Sequence, residues 1–208
     1  MTSRTLAVVS AGLSQPSSTR LLADQLATAT RDELVGRGEQ VELRPVELRA
    51  HAHDIVNHLL TGFPSEPLRQ VLAQVTGADG LIAVTPVFNA SYNGLFKSFF
   101  DLVDAEALGG RPVLIGATGG TARHSLALEH AVRPMFAYLR AVTVPTAVFA
   151  APEDWSAGTA DGALRARIGR AGRELAEQVH RTAPSTGPAD PFALTTSFEQ
   201  LLRRGPDT

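Results

Sequence analysis

The chain contains no cysteine. That removes disulfides, thiolate metal sites and a cysteine nucleophile together. Net charge is also scarce, −2 from 19 basic and 21 acidic residues, so no basic field exists to recruit nucleic acid or anionic lipid. No apolar run approaches the roughly 20 residues that span a bilayer. Met1 to Arg4 lead directly into Leu6-Ala7-Val8-Val9, with no secretory apolar region and cleavage site. These absences lead us to expect a soluble cytoplasmic protein with no membrane and no nucleic-acid partner. Three motifs are missing too. There is no Gly-x-Gly-x-x-Gly fingerprint, no Gly-x-x-x-x-Gly-Lys-Ser/Thr loop and no Gly-x-Ser-x-Gly elbow.

What is present is alternation. At 208 residues, 44% apolar and 19% charged, the chain is long enough to bury a two-sided sheet in one domain. Five short apolar runs recur: Thr5–Ser10, Val41–Val46, Gly80–Thr85, Pro112–Ala117 and Val144–Ala150. Between them, apolar residues fall at helical spacing, as in Leu22, Leu26 and Ala29, or Leu68, Val71, Leu72 and Val75. Leu95, Phe96, Phe99, Phe100 and Val103 form a further helix, and Leu164 to His180 a last one. Alternation of this kind implies right-handed crossovers and a parallel sheet. Five strands favour an α/β sandwich with a sheet of order 2-1-3-4-5.

Two segments break the pattern. Residues 47–64, with three histidines, read as a surface excursion. Residues 184–208 read as a Pro/Gly-rich linker and a short amphipathic tail, Phe192 to Leu202, following a domain that spans residues 1–183. The phenylalanine-rich helix at Phe96, Phe99 and Phe100 exceeds what one sheet face would cover, which points to a homodimer or homotetramer.

The chemistry gathers after the first, third and fourth runs, the neighbours at the switch point of such a sheet, where ligands bind. The first run enters Ser10-Ala11-Gly12-Leu13-Ser14-Gln15-Pro16-Ser17-Ser18-Thr19-Arg20. Hydroxyls and backbone N–H groups at a helix start suit a phosphate monoester, though Ser17 or Ser18 serving only as a helix cap explains the loop equally well. The third run ends in Thr85-Pro86-Val87-Phe88-Asn89, and no ionised side chain follows until Lys97. That loop suits a flat, neutral ring. The fourth ends in Thr118-Gly119-Gly120, where glycines let the backbone approach a planar ligand. Phosphate, ring face and polar ring edge together describe a mononucleotide with a large heterocycle, and FMN is the natural candidate.

Other constellations are weaker. His51-x-His53-Asp54 with His58 has the residue types of a metal site, but a polar surface loop accounts for it and no metal is expected. The first run ends in Ser10 without acidic residues, against a phospho-acceptor receiver. Glu153-Asp154-Trp155 reads as a surface loop whose tryptophan could contact a ligand or partner.

On these residues the chain resembles the NAD(P)H-dependent FMN reductases of the flavodoxin-like superfamily, particularly those of two-component alkanesulfonate-type monooxygenase systems. The matching pieces are the Ser10–Arg20 loop, Ala78-Asp79-Gly80-Leu81-Ile82 leading to Thr85-Pro86-Val87-Phe88, Tyr92-Asn93-Gly94-Leu95-Phe96-Lys97, and Ala117-Thr118-Gly119-Gly120-Thr121 with His124. The resemblance implies a flavodoxin-like fold, FMN with NADPH or NADH, and reduced flavin passed to a monooxygenase. It implies that Ser10, Ser17, Ser18 and Thr19 hold the FMN phosphate. Pro86, Val87, Phe88 and Asn89 would border the isoalloxazine. Thr118, Gly119 and Gly120 would face its polar edge, with the N–H groups of Gly119 and Gly120 as donors, and no side-chain acid or base is required. Two departures stand out. Where many relatives carry an arginine early in the first loop, this chain has Leu13, Ser14 and Gln15, leaving Arg20 and backbone dipoles to meet the phosphate. His130 is the best match for an inserted residue that forms a π-bulge, though an exposed or core histidine on an ordinary helix accounts for it equally well. The tail looks like that of a subgroup said to serve luciferase-like monooxygenases. The same fold also holds FMN-retaining quinone and azo reductases, and flavodoxin-type electron carriers, which are usually more acidic than −2.

Overall fold

A computed structural model describes residues 3–155 and 159–184. The amphipathic piece expected at Phe192–Leu202, and all of the linker but Pro184, lie outside those residues.

Strand β1 (Ser3–Ser10) lies between β2 (Gln40–Glu47) and β3 (Gly80–Phe88), parallel to both. Next to β3 runs β5 (Pro112–Thr118), and beside β5 come β6 (Val142–Thr143) and β7 (Val148–Ala150), all parallel. The lanes therefore follow the expected 2-1-3-4-5 order, with seven strands rather than five. Along the central strands, burial alternates between the two faces as a period of two demands. Ala7, Val9, Leu81 and Ala83 face one core; Leu6, Val8, Ile82 and Val84 face the other. Helices α1 (Ser18–Gly36) and α6 (Thr159–Arg181) cover the second core. The first is covered by α2 (Ala52–Thr61), α3 (Glu66–Thr76), α4 (Gly94–Phe100) and α5 (Arg133–Tyr138). The chain has the flavodoxin-like α/β fold.

The expected third strand is longer than its sequence run. It continues through Pro86 to Phe88, turns at Asn89 and Ala90 (φ 49° and 67°), and pairs back on itself in the antiparallel β4 (Ser91–Tyr92). Two consecutive residues with positive φ make the tight hairpin turn whose twist matches its strands, and asparagine tolerates the first of them.

The expected fifth strand is broken. Pro145 has no N–H for the ladder, and the chain detours between β6 and β7. Arg133 satisfies the carbonyls exposed there, donating to Val144 O at 3.0 Å and Pro145 O at 3.1 Å, and to Thr143 Oγ1 at 2.9 Å. The Glu174 carboxylate accepts from Thr146 N and Thr146 Oγ1, both at 2.7 Å. Side chains thus close the hydrogen-bond account of a segment that left the sheet.

The region 47–64 is not merely a surface excursion. A 3₁₀ turn (Leu48–His51) and α2 occupy it, anchored because Leu48 and Ile55 are fully buried. The phenylalanine argument for oligomerisation also fails as stated. Phe96, Phe99 and Phe100 are buried within their own chain, and Phe96 and Phe100 meet Phe136 edge-on at centroid separations of 6.4 and 4.9 Å. Residues Leu128–Val132 form a π-helical turn with His130 at its middle. Among the described residues no helix is long and apolar enough to cross a membrane.

Candidate functional site

A cleft of about 520 Å³ opens above the carboxyl ends of β1, β3 and β5. Its position follows from topology: the neighbours of β1 and β3 cross over to opposite faces, which leaves a crevice at the reversal. Ser18, Thr19, Pro86, Val87, Phe88, Thr118, Gly119 and Gly120 all line it. Eight of the eleven residues singled out from sequence therefore converge, from three loops up to a hundred residues apart.

The other three do not. Ser10 is buried at the end of β1, 3% exposed. Ser17 is the N-cap of α1, its Oγ accepting from Arg20 N at 3.2 Å, so of the two readings of that serine the cap is the one observed. Asn89 forms the hairpin turn rather than the wall. In their place the cleft takes in Leu13, Ser14, Ala150, Pro152 and Trp155. Trp155 carried a signal as a lone aromatic in a loop; Leu13 and Ala150 carried none.

Two polar ties hold the three loops in register. Thr19 Oγ1 and Thr118 Oγ1 are 2.8 Å apart and buried, joining the first turn of α1 to the end of β5. Asn93, 3% exposed, does more. Its Nδ2 donates to Ala11 O at 2.9 Å, its Oδ1 caps α4 by accepting from Phe96 N at 2.8 Å, and its N–H donates to Thr85 Oγ1 at 3.2 Å. That amide fixes the first loop against the third. Sequence inspection passed over it because its partners lie at both ends of the crevice.

The glycines explain the close walls. A Cβ at Gly12 would fall 2.0 Å from Ser17 Oγ, so the first loop can fold over its own helix start only without one. A Cβ at Gly119 would fall 2.8 Å from the Phe149 ring. Gly119 N–H is not a free donor, however: it gives its hydrogen to Ala150 O at 3.1 Å. The expectation of two donors in this turn is corrected to Gly120, whose Cα faces open space.

Electrostatically the cleft is neutral, since no lining residue is an acid or base. Arg20, expected at a phosphate, is held between Asp24 Oδ1 at 2.7 Å and the Glu47 carboxylate. What remains for an anion is the mouth of α1. Arg20 N–H is taken by Ser17 Oγ and Leu21 N–H by Ser17 O, which leaves the N–H groups of Ser18 and Thr19 ahead of the first helical bonds. As for the histidines of residues 51–58, among the described residues no three His, Asp or Glu side chains gather to hold a metal ion.

Residues 4–156 match the family model described as NADPH-dependent FMN reductase. An FMN reductase (NADPH) of Pseudomonas aeruginosa is 37% identical over 147 residues, covering 71% of this chain and 76% of that protein. An NADH-dependent FMN reductase, SfnE, of Pseudomonas putida is 37% identical over 163 residues, 77% of this chain and 84% of the relative. Among solved structures, an oxidoreductase from Corynebacterium diphtheriae superposes with a TM-score of 0.85 at 45% identity, covering 88% of this chain and all of the other.

Proposed function

Because the chain belongs to the NADPH-dependent FMN reductase family, we propose that the cleft above β1, β3 and β5 is where this NAD(P)H:FMN oxidoreductase brings its two substrates together. The convergence of eight candidate residues on one neutral cleft supports that reading most strongly.

The residues present fit FMN. The Ser18 and Thr19 N–H groups, with the hydroxyls of Ser14 and Ser18, suit its phosphate. Leu13, Val87, Phe88 and Trp155 offer apolar surface to a flat ring, and Phe88 stands half exposed at the rim. Gly120 N–H would be the donor for the ring's polar edge, and Gly119, with no Cβ, would let the ring approach the β5 turn. Bound FMN supplies the hydride-accepting centre, and NAD(P)H supplies the hydride. The chain's own residues bind, align and exclude water, while a backbone dipole meets developing negative charge. No side-chain acid or base stands in the cleft, and the chemistry needs none.

The finer reading is that reduced FMN leaves and serves a flavin-dependent monooxygenase. A cleft that sets no cationic side chain against the phosphate favours release over retention. Residues 1–183 would form the reductase domain, with 184–208 as a tail. A homo-oligomer now rests on Val56, Leu59, Leu60 and Phe63, exposed in and just after α2 at spacings of three, four and seven.

The test is steady-state oxidation of NADPH and NADH with added FMN, followed by gel filtration of the protein after turnover. Flavin-dependent oxidation with flavin eluting free supports the reading. Absence of oxidation with either nicotinamide defeats it, and flavin that co-elutes through turnover defeats the export.

A further inference from the structure

Arg167 stands on α6, outside the cleft, and joins two groups of the segment that forms one of its walls. Strand β7 lies at an edge: it pairs with β5, and among the described residues no strand pairs with its other side. Carbonyls along a strand point alternately to its two sides. Ala150 O points to the β5 side, where it accepts from Gly119 N, so Phe149 O faces the open side. There Arg167 Nη2 donates to it at 3.3 Å. The same nitrogen donates to Asp154 Oδ1 at 2.8 Å.

Asp154 ties together the 3₁₀ turn Pro152–Trp155. Its other oxygen, Oδ2, accepts from Ala151 N at 2.9 Å, and its own N–H donates to Ala151 O at 3.0 Å. With both oxygens engaged and the side chain 17% exposed, the carboxylate fixes how the turn leaves β7. Ala150, Pro152 and Trp155 line the cleft, whereas Asp154 and Arg167 do not. Trp155 follows Asp154 directly and rests, partly buried, against the core beneath α1 and α6. Leu164 and Ile168, buried in that core, flank Arg167 at helical spacing, so one side of α6 carries both apolar support and the guanidinium. A four-residue 3₁₀ turn has little stability of its own. A tryptophan on it keeps one position only if the turn is tied from outside.

Resting on the function proposed above, we infer that Arg167 and Asp154 are positioning residues for the flavin: their ion pair holds the Pro152–Trp155 turn so that the Trp155 ring stands as a fixed wall for the isoalloxazine. Neither residue touches the flavin. Their effect passes through Trp155, and a wall set before binding spares the complex the entropy of ordering it.

Trp155 is the only tryptophan of the chain, so tryptophan emission of the flavin-free protein reads this ring alone. Arg167→Gln should move the emission maximum to longer wavelength as the ring is released towards water. It should also raise the KM for FMN roughly fivefold and retain kcat at saturating FMN. Arg167→Lys keeps the charge and should recover most of both effects. Asp154→Asn offers one accepting oxygen in place of two and should behave like Arg167→Gln. The KM for FMN is then measured in a Trp155→Leu background, where Arg167→Gln should add nothing because the wall it positions is gone. An equal rise in that background overturns the inference, since Arg167 would then act on the protein at large. So does unchanged emission in Arg167→Gln, or an Arg167→Lys variant no better than Arg167→Gln. An unaltered protein that oxidises neither nicotinamide with FMN is a different result: it sinks the reductase reading, while the emission shift still decides whether the ion pair holds Trp155.

Discussion

Thr19 Oγ1 and Thr118 Oγ1 share a buried hydrogen bond of 2.8 Å that ties the start of α1 to the end of β5, 99 residues later. The pair sits in the wall of the cleft, so it serves both stability and the site.

Thr19→Val or Thr118→Val alone leaves a buried hydroxyl unsatisfied and should cost about 1–3 kcal/mol. The double variant should cost less than the sum, because no orphan remains. Chemical denaturation of the three variants measures the coupling; strict additivity would contradict the bond. The KM for FMN should rise in each single variant.

Asn93→Ser isolates one of two roles. The neutral hydroxyl still caps α4 at Phe96 N, but the shorter side chain gives up the amide that donates to Ala11 O. It should lose less stability than Asn93→Ala, which gives up the cap as well, a difference of about 1 kcal/mol. Urea midpoints of the two variants decide it, and equal losses would show that the cap contributes nothing.

Gly119→Ala should weaken FMN use by roughly tenfold, because the added methyl meets the Phe149 ring. Phe149→Leu in the same chain removes the ring edge and should restore much of the loss. If the second substitution restores nothing, the contact with Phe149 is not the cause.

Stability should fall in acid through Glu129. Its carboxyl is held below its ordinary value of 4.5 chiefly by the hydrogen bonds from Arg133, which outweigh the opposing effect of burial, with a lesser contribution from that residue's charge. The lowered folded value means that the stabilisation is present above about pH 4.5 and is lost as pH falls through the folded value. The pair is partly exposed, so its contribution is discounted for solvent screening to about 0.5–1 kcal/mol. Glu129→Gln should therefore lower Tm at neutral pH and converge with the parent protein in strong acid. A gap that persists there would point to some other cause.

Much of this was legible in advance. The apolar runs located the sheet lanes and their order, and hydroxyls, a neutral loop and paired glycines located eight cleft residues. Errors arose where a side chain's partner lies far along the chain. Arg20 reads as a phosphate ligand until Glu47, 27 residues later, is seen beside it. Phe96 and Phe100 read as part of an exposed face until Phe136 covers them. Gly119 reads as a donor until Ala150 O takes its hydrogen. The fifth strand reads as continuous because nothing near Pro145 announces Arg133 and Glu174, the groups that let it leave the sheet.

By itself, the sequence determined the alternation of strands and helices, the absence of charge from the loop after β3, and the likeness to FMN reductases. These are local properties, set by side-chain type and spacing along a few residues. Only the tertiary structure decided which hydroxyls face the cleft, which cation is already paired, and which glycine N–H is already taken. Those depend on groups brought together by folding, and a hydrogen bond or ion pair is won by whichever partner the sheet and helices place within reach.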